Sequence, residues 1–171
     1  MRKVILPVTG LSQWDAGIDE RLRTSACGPT TIRTIFDYHG ETDVAIDQLY
    51  RSLGTTRIGL FTWRLMRNFR RLSDGRLRAH RIRSVEEVKS ELLAGRPLAM
   101  KFDRYFTFRW RKKSVFAYHW VPLVGFEETK GDLLLYIHDN GGRNRPSRLQ
   151  KVSYEANRSI LTFIGIRTEK K

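Results

Sequence analysis

The sequence predicts an α+β protein in which N-terminal helices pack on a C-terminal antiparallel sheet. Two observations carry this. Segments with helical spacing and clear stops fill the chain up to Pro97, and short apolar or aromatic runs separated by turn signals fill the remainder. At 171 residues the chain has the size of one ordinary domain and can bury a core without staples, so a single domain over 1–171 is expected.

The first helix is expected after Cys27. Ile32, Ile35 and Phe36 share one side, and Gly40 stops it. Asp43 can cap a second helix bearing Val44, Ile46, Leu49, Tyr50 and Leu53, ended by Gly54. From Gly59 to about Leu72 the apolar set Phe61, Leu65, Phe69 and Leu72 opposes Arg64, Arg67, Arg70 and Arg71, which describes a strongly basic amphipathic helix. Ser84 followed by Glu87 is a capping-box pattern for a fourth helix through Val85, Val88, Leu92 and Leu93, closed by Gly95 and Pro97. Strands are expected over 98–102, 120–126, 133–138, 150–154 and 160–167, with a short edge strand at 77–82. Gly131-Asp132 marks a hairpin turn, and Asn140-Gly141-Gly142 marks the next connection.

Composition limits the function classes. Hydrophobic residues make up 40% of the chain, which excludes wholesale disorder, and no apolar run reaches the ~20 residues of a membrane-spanning helix. The basic start Met1-Arg2-Lys3 precedes only a short apolar stretch broken by Pro7, so no signal peptide is expected and a cytoplasmic location is the default. One cysteine allows no internal disulfide. Without a cysteine pair or a His-x-x-x-His spacing, no metal site is expected, and no cofactor is called for. The net charge of +14 creates a field attractive to acidic substrates or nucleic acid.

Cys27 lies in Ser25-Ala26-Cys27-Gly28-Pro29-Thr30-Thr31, where a loop gives way to a helix. A lone cysteine is commonly a small buried hydrophobe. At a helix start, however, unpaired N–H groups and the macrodipole favour thiolate, which makes Cys27 a candidate nucleophile. Pro29 suits a first helical position, and Gly28 permits backbone or substrate to approach beside the sulfur. A thiol nucleophile needs an imidazole to carry its proton, and the imidazole needs a partner to fix its tautomer. His119 opens the run Tyr118-His119-Trp120-Val121-Pro122-Leu123-Val124-Gly125-Phe126. Asp139 ends the strand that would pair with it through the Gly131 turn, so hairpin register brings the two together. Neighbours on an extended strand face opposite ways, so only one of Asp139 and Asn140 can reach His119. Alone, His119 would read as a core histidine and Asp139 as a turn opener; their order along the chain favours the site. His138 is expected to face away, with His39 at a helix end and His80 at a surface or edge.

Four features together resemble the peptidase C39-like group of papain-fold cysteine peptidases: Gln13-Trp14, Ala26-Cys27-Gly28-Pro29-Thr30, the His119 strand, and His138-Asp139-Asn140-Gly141. The resemblance implies a papain-like fold, with Cys27 as nucleophile, His119 as general base and acid, Asp139 as its orienting residue and Gln13 as an oxyanion-hole donor. Asn140 stands where relatives commonly carry proline, and under this resemblance it is the rival of Asp139 as the partner of His119. Trp14, Gly28, Trp120, Trp110 and Arg109 are the candidate substrate contacts. The implied activity is a cysteine hydrolase acting on a peptide or amide, an acidic one being compatible with the charge. An acyl transferase would use the same residues. The alternative from another class is an inactive fold serving as a basic module for nucleic acid or another polyanion. The stretch from Lys101 to Tyr118 fits base stacking with phosphate contacts, and fits better a hairpin with aromatics turned inward.

Overall fold

The computed structural model describes residues 1–41, 44–72, 76–104 and 117–168. In chain order these form β1 (Lys3–Ile5), α1 (Cys27–Tyr38), α2 (Ile46–Ser52), α3 (Thr62–Asn68), β2 (Leu77–Ile82), α4 (Val85–Leu93), β3 (Leu98–Asp103), β4 (Tyr118–Glu128), β5 (Leu133–His138), β6 (Leu149–Ser153), α5 (Tyr154–Asn157) and β7 (Leu161–Thr168). Single 3-10 turns at Arg23–Ser25, Phe69–Arg71 and Arg158–Ile160 join neighbouring elements. No described helix is long and apolar enough to cross a membrane.

Seven strands form one antiparallel sheet in the order β2-β7-β3-β4-β5-β6, with β1 added along β4. The long strand β4 organises it. β3 pairs with Tyr118–Leu123, β1 takes over the same edge opposite Gly125–Glu127, and β5 holds the other edge from Leu123 onward. Gly125 makes the β1 pairing possible, because a Cβ there would collide with the Val4 carbonyl. The sequence reading assigned no strand to the N-terminus; three residues carry too little alternation to be read.

Each face of the sheet carries helices, so alternate strand residues feed two cores. α1, α2 and α3 bury Ile32, Ile35, Phe36, Leu49, Leu53, Leu65 and Phe69 against Ala99, Trp120, Ile164 and Ile166. The Phe36 and Phe69 rings meet edge to face, 5.7 Å between centroids. On the opposite face α4 buries Val88 and Leu92 against a core containing Met100, Phe102, Val121, Leu123 and Phe126. The capping signals act as read: Ser84 Oγ accepts the Glu87 N–H at 3.1 Å, Glu87 Oε2 accepts the Arg83 N–H at 3.2 Å, and Gly95 ends the helix at φ +75°. Glu91 is buried on α4. Desolvation opposes its charge, but Arg96 and Arg167 outweigh it and hold its carboxyl at about 2.

Several boundaries differ from expectation. The basic helix is regular only over Thr62–Asn68, then tightens into the 3-10 turn. Residue 154, placed at a strand end, begins α5, whose first turn is capped when Ser153 Oγ accepts the Ala156 N–H. Asp43, the expected cap of α2, lies outside the described residues, and Ala45 occupies the N-cap position.

Candidate functional site

α1 begins at Cys27. Ala26 is its N-cap, with its carbonyl accepting the Thr30 N–H at 2.9 Å. Pro29 is the third helical residue, where a main-chain N–H has no intrahelical partner to lose. The space beside Gly28 is filled by Leu60, whose Cβ is 2.7 Å from where a Gly28 Cβ would stand. That glycine therefore admits a core side chain rather than substrate.

The helix start is seated where β5 parts from β4. The last ladder pair between these strands is Leu123 with Ile137, so the main chain of Trp120 meets other partners at that edge. Its carbonyl accepts Asn140 Nδ2 at 2.8 Å, and its N–H points at the sulfur of Cys27. The thiol thus rests against the peptide that joins His119 to Trp120. It is only 5% exposed, and this burial pushes its pKa up from the ordinary 9.0 even though the N–H groups of Trp120, Gly28 and Cys27 itself favour the thiolate. The helix start acts in the expected direction and is outweighed by desolvation.

His119 is held from the β5 side. Its Nε2 lies 3.2 Å from the main-chain carbonyl of Asp139, and burial lowers its pKa from 6.5 against the opposing pull of that carbonyl and the Asp139 charge. A carbonyl only accepts, so Nε2 carries the proton and Nδ1 is the acceptor nitrogen of the neutral ring. Hairpin register does bring residues 119 and 139 together, but through main chain. The Asp139 carboxylate faces the following loop, where Oδ1 accepts the N–H groups of Gly141 and Arg148 at 3.0 and 2.9 Å, and Oδ2 meets Gln150 Nε2 and the Arg145 guanidinium, each at 2.6 Å. Burial opposes its charge, and these donors more than offset it, keeping the carboxyl below its usual range. Among the described residues no hydrogen bond joins the Cys27 sulfur to the His119 ring.

Asn140 holds the two halves in place. It is fully buried at φ +55°, and its Nδ2 reaches the carbonyls of Cys27 at 3.1 Å and Trp120 at 2.8 Å and the Thr31 hydroxyl at 3.1 Å. Asn140, read as a turn residue and as the rival partner of His119, thus supplies the link between the helix start and β4. Its own carbonyl accepts the Gln13 N–H at 3.0 Å, which brings residue 13 to the same place. Gln13 Nε2 donates to the Arg23 carbonyl at 2.7 Å, while Oε1 is buried without a partner among the described residues.

The expected substrate contacts fare differently. Trp120 is wholly enclosed, with its indole N–H donated to the Leu60 carbonyl at 2.7 Å, so its side chain is part of the core. Trp14 is partly exposed, with the Arg143 guanidinium 5.2 Å from its ring. Arg109 and Trp110, with most of the basic-aromatic stretch, lie outside the described residues. His138 bonds the Val8 carbonyl at 3.0 Å rather than joining His119. No cluster of metal-ligating side chains occurs among the described residues.

The fold has close counterparts. A crystal structure of a candidate C39-like peptidase from Bacillus anthracis aligns with a TM-score of 0.72 at 16% identity, covering 100% of both chains. UfSP from C. elegans aligns at 0.55 and 12% identity, over 98% of this chain and 34% of that one. At such identities the likeness shows the fold alone, a papain-like mixture of helices and antiparallel sheet. No curated protein matches the chain. The model described as Peptidase_C39 like family matches residues 5–161, and with the helix-borne cysteine set against the histidine strand, the chain belongs to that family.

Proposed function

We propose that this protein is a cysteine hydrolase that cleaves amide bonds of peptides, with Cys27 as nucleophile and His119 as its proton carrier. The observation that supports this best is the seat of the sulfur against the His119–Trp120 peptide, at the first residue of α1, with the His119 ring held from its far nitrogen. In the resting state burial favours a neutral thiol and a neutral imidazole. The chemistry then proceeds by general-base attack. Nδ1 takes the thiol proton as Sγ bonds to the acyl carbon, the tetrahedral oxyanion forms, and the proton passes to the amine nitrogen as the C–N bond breaks. Water repeats the cycle on the thioester: Nδ1 takes its proton, the C–S bond breaks, and the thiol is restored.

The oxyanion donors are the main-chain N–H of Cys27 and the second N–H of the Gln13 amide, the first being held by the Arg23 carbonyl. Asp139 acts on His119 through its carbonyl, and its carboxylate fixes the loop that positions that carbonyl and Asn140. The test is mechanism-based trapping with a peptidyl vinyl sulfone, followed by intact-mass and peptide mapping. One adduct at Cys27 is expected in the native protein, none in Cys27→Ala, and a rate lower by about 100-fold in His119→Ala. Modification of Cys27 only after denaturation would remove the enzyme reading.

A further inference from the structure

Between Asp47 and Asp74 the sequence has no carboxylate, yet Arg51, Arg57, Arg64, Arg67, Arg70 and Arg71 all fall there. Thr56 and Gly59 exchange main-chain hydrogen bonds of 3.0 and 2.9 Å, closing a tight turn that holds Arg57 and Ile58 out in solvent, Ile58 at 64% exposure. α3 follows with Trp63, 55% exposed, whose ring has the guanidinium groups of Arg64 and Arg67 at 5.1 and 5.0 Å. Arg70 and Arg71 continue that face, while Leu65 and Phe69 point into the core. Among the described residues none of Arg57, Arg67, Arg70 or Arg71 forms an ion pair, and all four are exposed.

The surface is tied to the candidate site by Leu60. Its side chain packs on Gly28, and its carbonyl accepts both Tyr118 Oη and Trp120 Nε1 at 2.7 Å. Trp63 is three residues further on, within roughly 10 Å of chain reach. Two apolar side chains standing in solvent among exposed arginines call for a ligand that covers the first and matches the second. A guanidinium stacked on an aromatic face still offers its N–H edges to a carboxylate in its own plane.

We infer that the Arg57–Arg71 surface binds an acidic polypeptide and delivers it to Cys27, an assignment of substrate class that rests on the hydrolase reading above. A thiol attacks acyl carbons, and a chain rich in aspartate or glutamate supplies both the amide to be cut and the charge to be held. Nucleic acid supplies only the charge.

The test is binding to full-length Cys27→Ala protein, read by fluorescence anisotropy. The probes are a labelled Glu-Ala repeat peptide, its Gln-Ala counterpart and an oligothymidylate of equal charge. The Glu-Ala peptide is expected to bind at least about tenfold more tightly than Gln-Ala at low salt, with the two converging near 1 M, where screening acts within about 3 Å. Arg57→Glu/Arg67→Glu/Arg70→Glu is expected to erase the difference without shifting the thermal midpoint, while the matching lysine triple retains most of it. Equal affinity for the two peptides overturns the inference. So does tighter binding of oligothymidylate that the glutamate triple abolishes. Because this measurement needs no thiol, its failure counts against the surface alone, and failure of trapping at Cys27 counts against the hydrolase alone.

Discussion

Under α4 the sheet packs Val88 and Leu92 against Met100, Phe102, Val121 and Leu123, side chains with no hydrogen-bonding group. Under α1 the same sheet encloses Thr30, Thr31, Thr34, Asn140 and the Lys101–Asp103 ion pair at 2.8 Å, with Cys27 among them. The first core is apolar, and the one charge that α4 buries, Glu91, is paired with Arg96 and Arg167. The second accepts the desolvation of polar groups and meets most of it with hydrogen bonds that fix direction, Thr30 Oγ1 and Asn140 Oδ1 having no partner among the described residues. Directional bonding is thus concentrated around the helix start that carries the thiol.

The sharpest way to separate the two cores is Leu92→Ala, which opens a void under α4. It is expected to lower stability by about 3 kcal/mol in denaturant unfolding while leaving vinyl sulfone trapping at Cys27 unchanged. A large fall in trapping by the folded variant would mean that the two faces are coupled. Asn140→Gly works in the other direction, since it deletes the amide link and relieves the positive φ at the same time. Stability is expected to fall by about 1–2 kcal/mol, and the trapping rate by about tenfold, because the helix start is no longer fixed against β4. Unaltered trapping would show that packing alone positions the sulfur.

The pH profile tests the buried pair with the smallest perturbation. Burial lowers His119 from 6.5 and raises Cys27 from 9.0. The productive pair, neutral thiol with neutral imidazole, is therefore expected to give a broad plateau in trapping rate. Its acid limb lies below pH 6.5, where the ring is protonated, and above pH 9.0, where the thiol proton is lost, the rate is expected to hold or rise because the thiolate is the stronger nucleophile. Stability follows the same sign. His39, His80, His119 and His138 all have lowered values in the fold, so stability is fully present above pH 6.5 and is lost as pH falls through the folded values. An acid limb above pH 7 would contradict the burial seen at His119.

Much of this was legible along the chain. The Ser84–Glu87 cap, the Gly131 turn and the bounds of β2 and β5 follow from local signals, since capping and turn formation depend on residues three or four apart. β1 was not legible, because its pairing with Gly125–Glu127 depends on an edge created more than a hundred residues later. That residues 119 and 139 lie near one another was readable from hairpin logic, whereas Cys27 was joined to them only by the chemistry of a thiol nucleophile and by the resemblance. The atom by which Asp139 reaches His119 was not, because side chain and main chain of one residue are equally close in sequence.

The α+β class, the basic charge, the helix that begins at Cys27 and the neighbourhood of residues 119 and 139 are written in the order of residues along the chain. Each of these follows from periodicity, capping or register, which act over short separations or through a single hairpin. Tertiary structure alone decided that Trp120 is core, that Leu60 fills the space at Gly28, that Asn140 joins α1 to β4, and that burial outweighs the helix start at the thiol. Those outcomes depend on how much water is excluded where three distant segments meet, a quantity that no local pattern encodes.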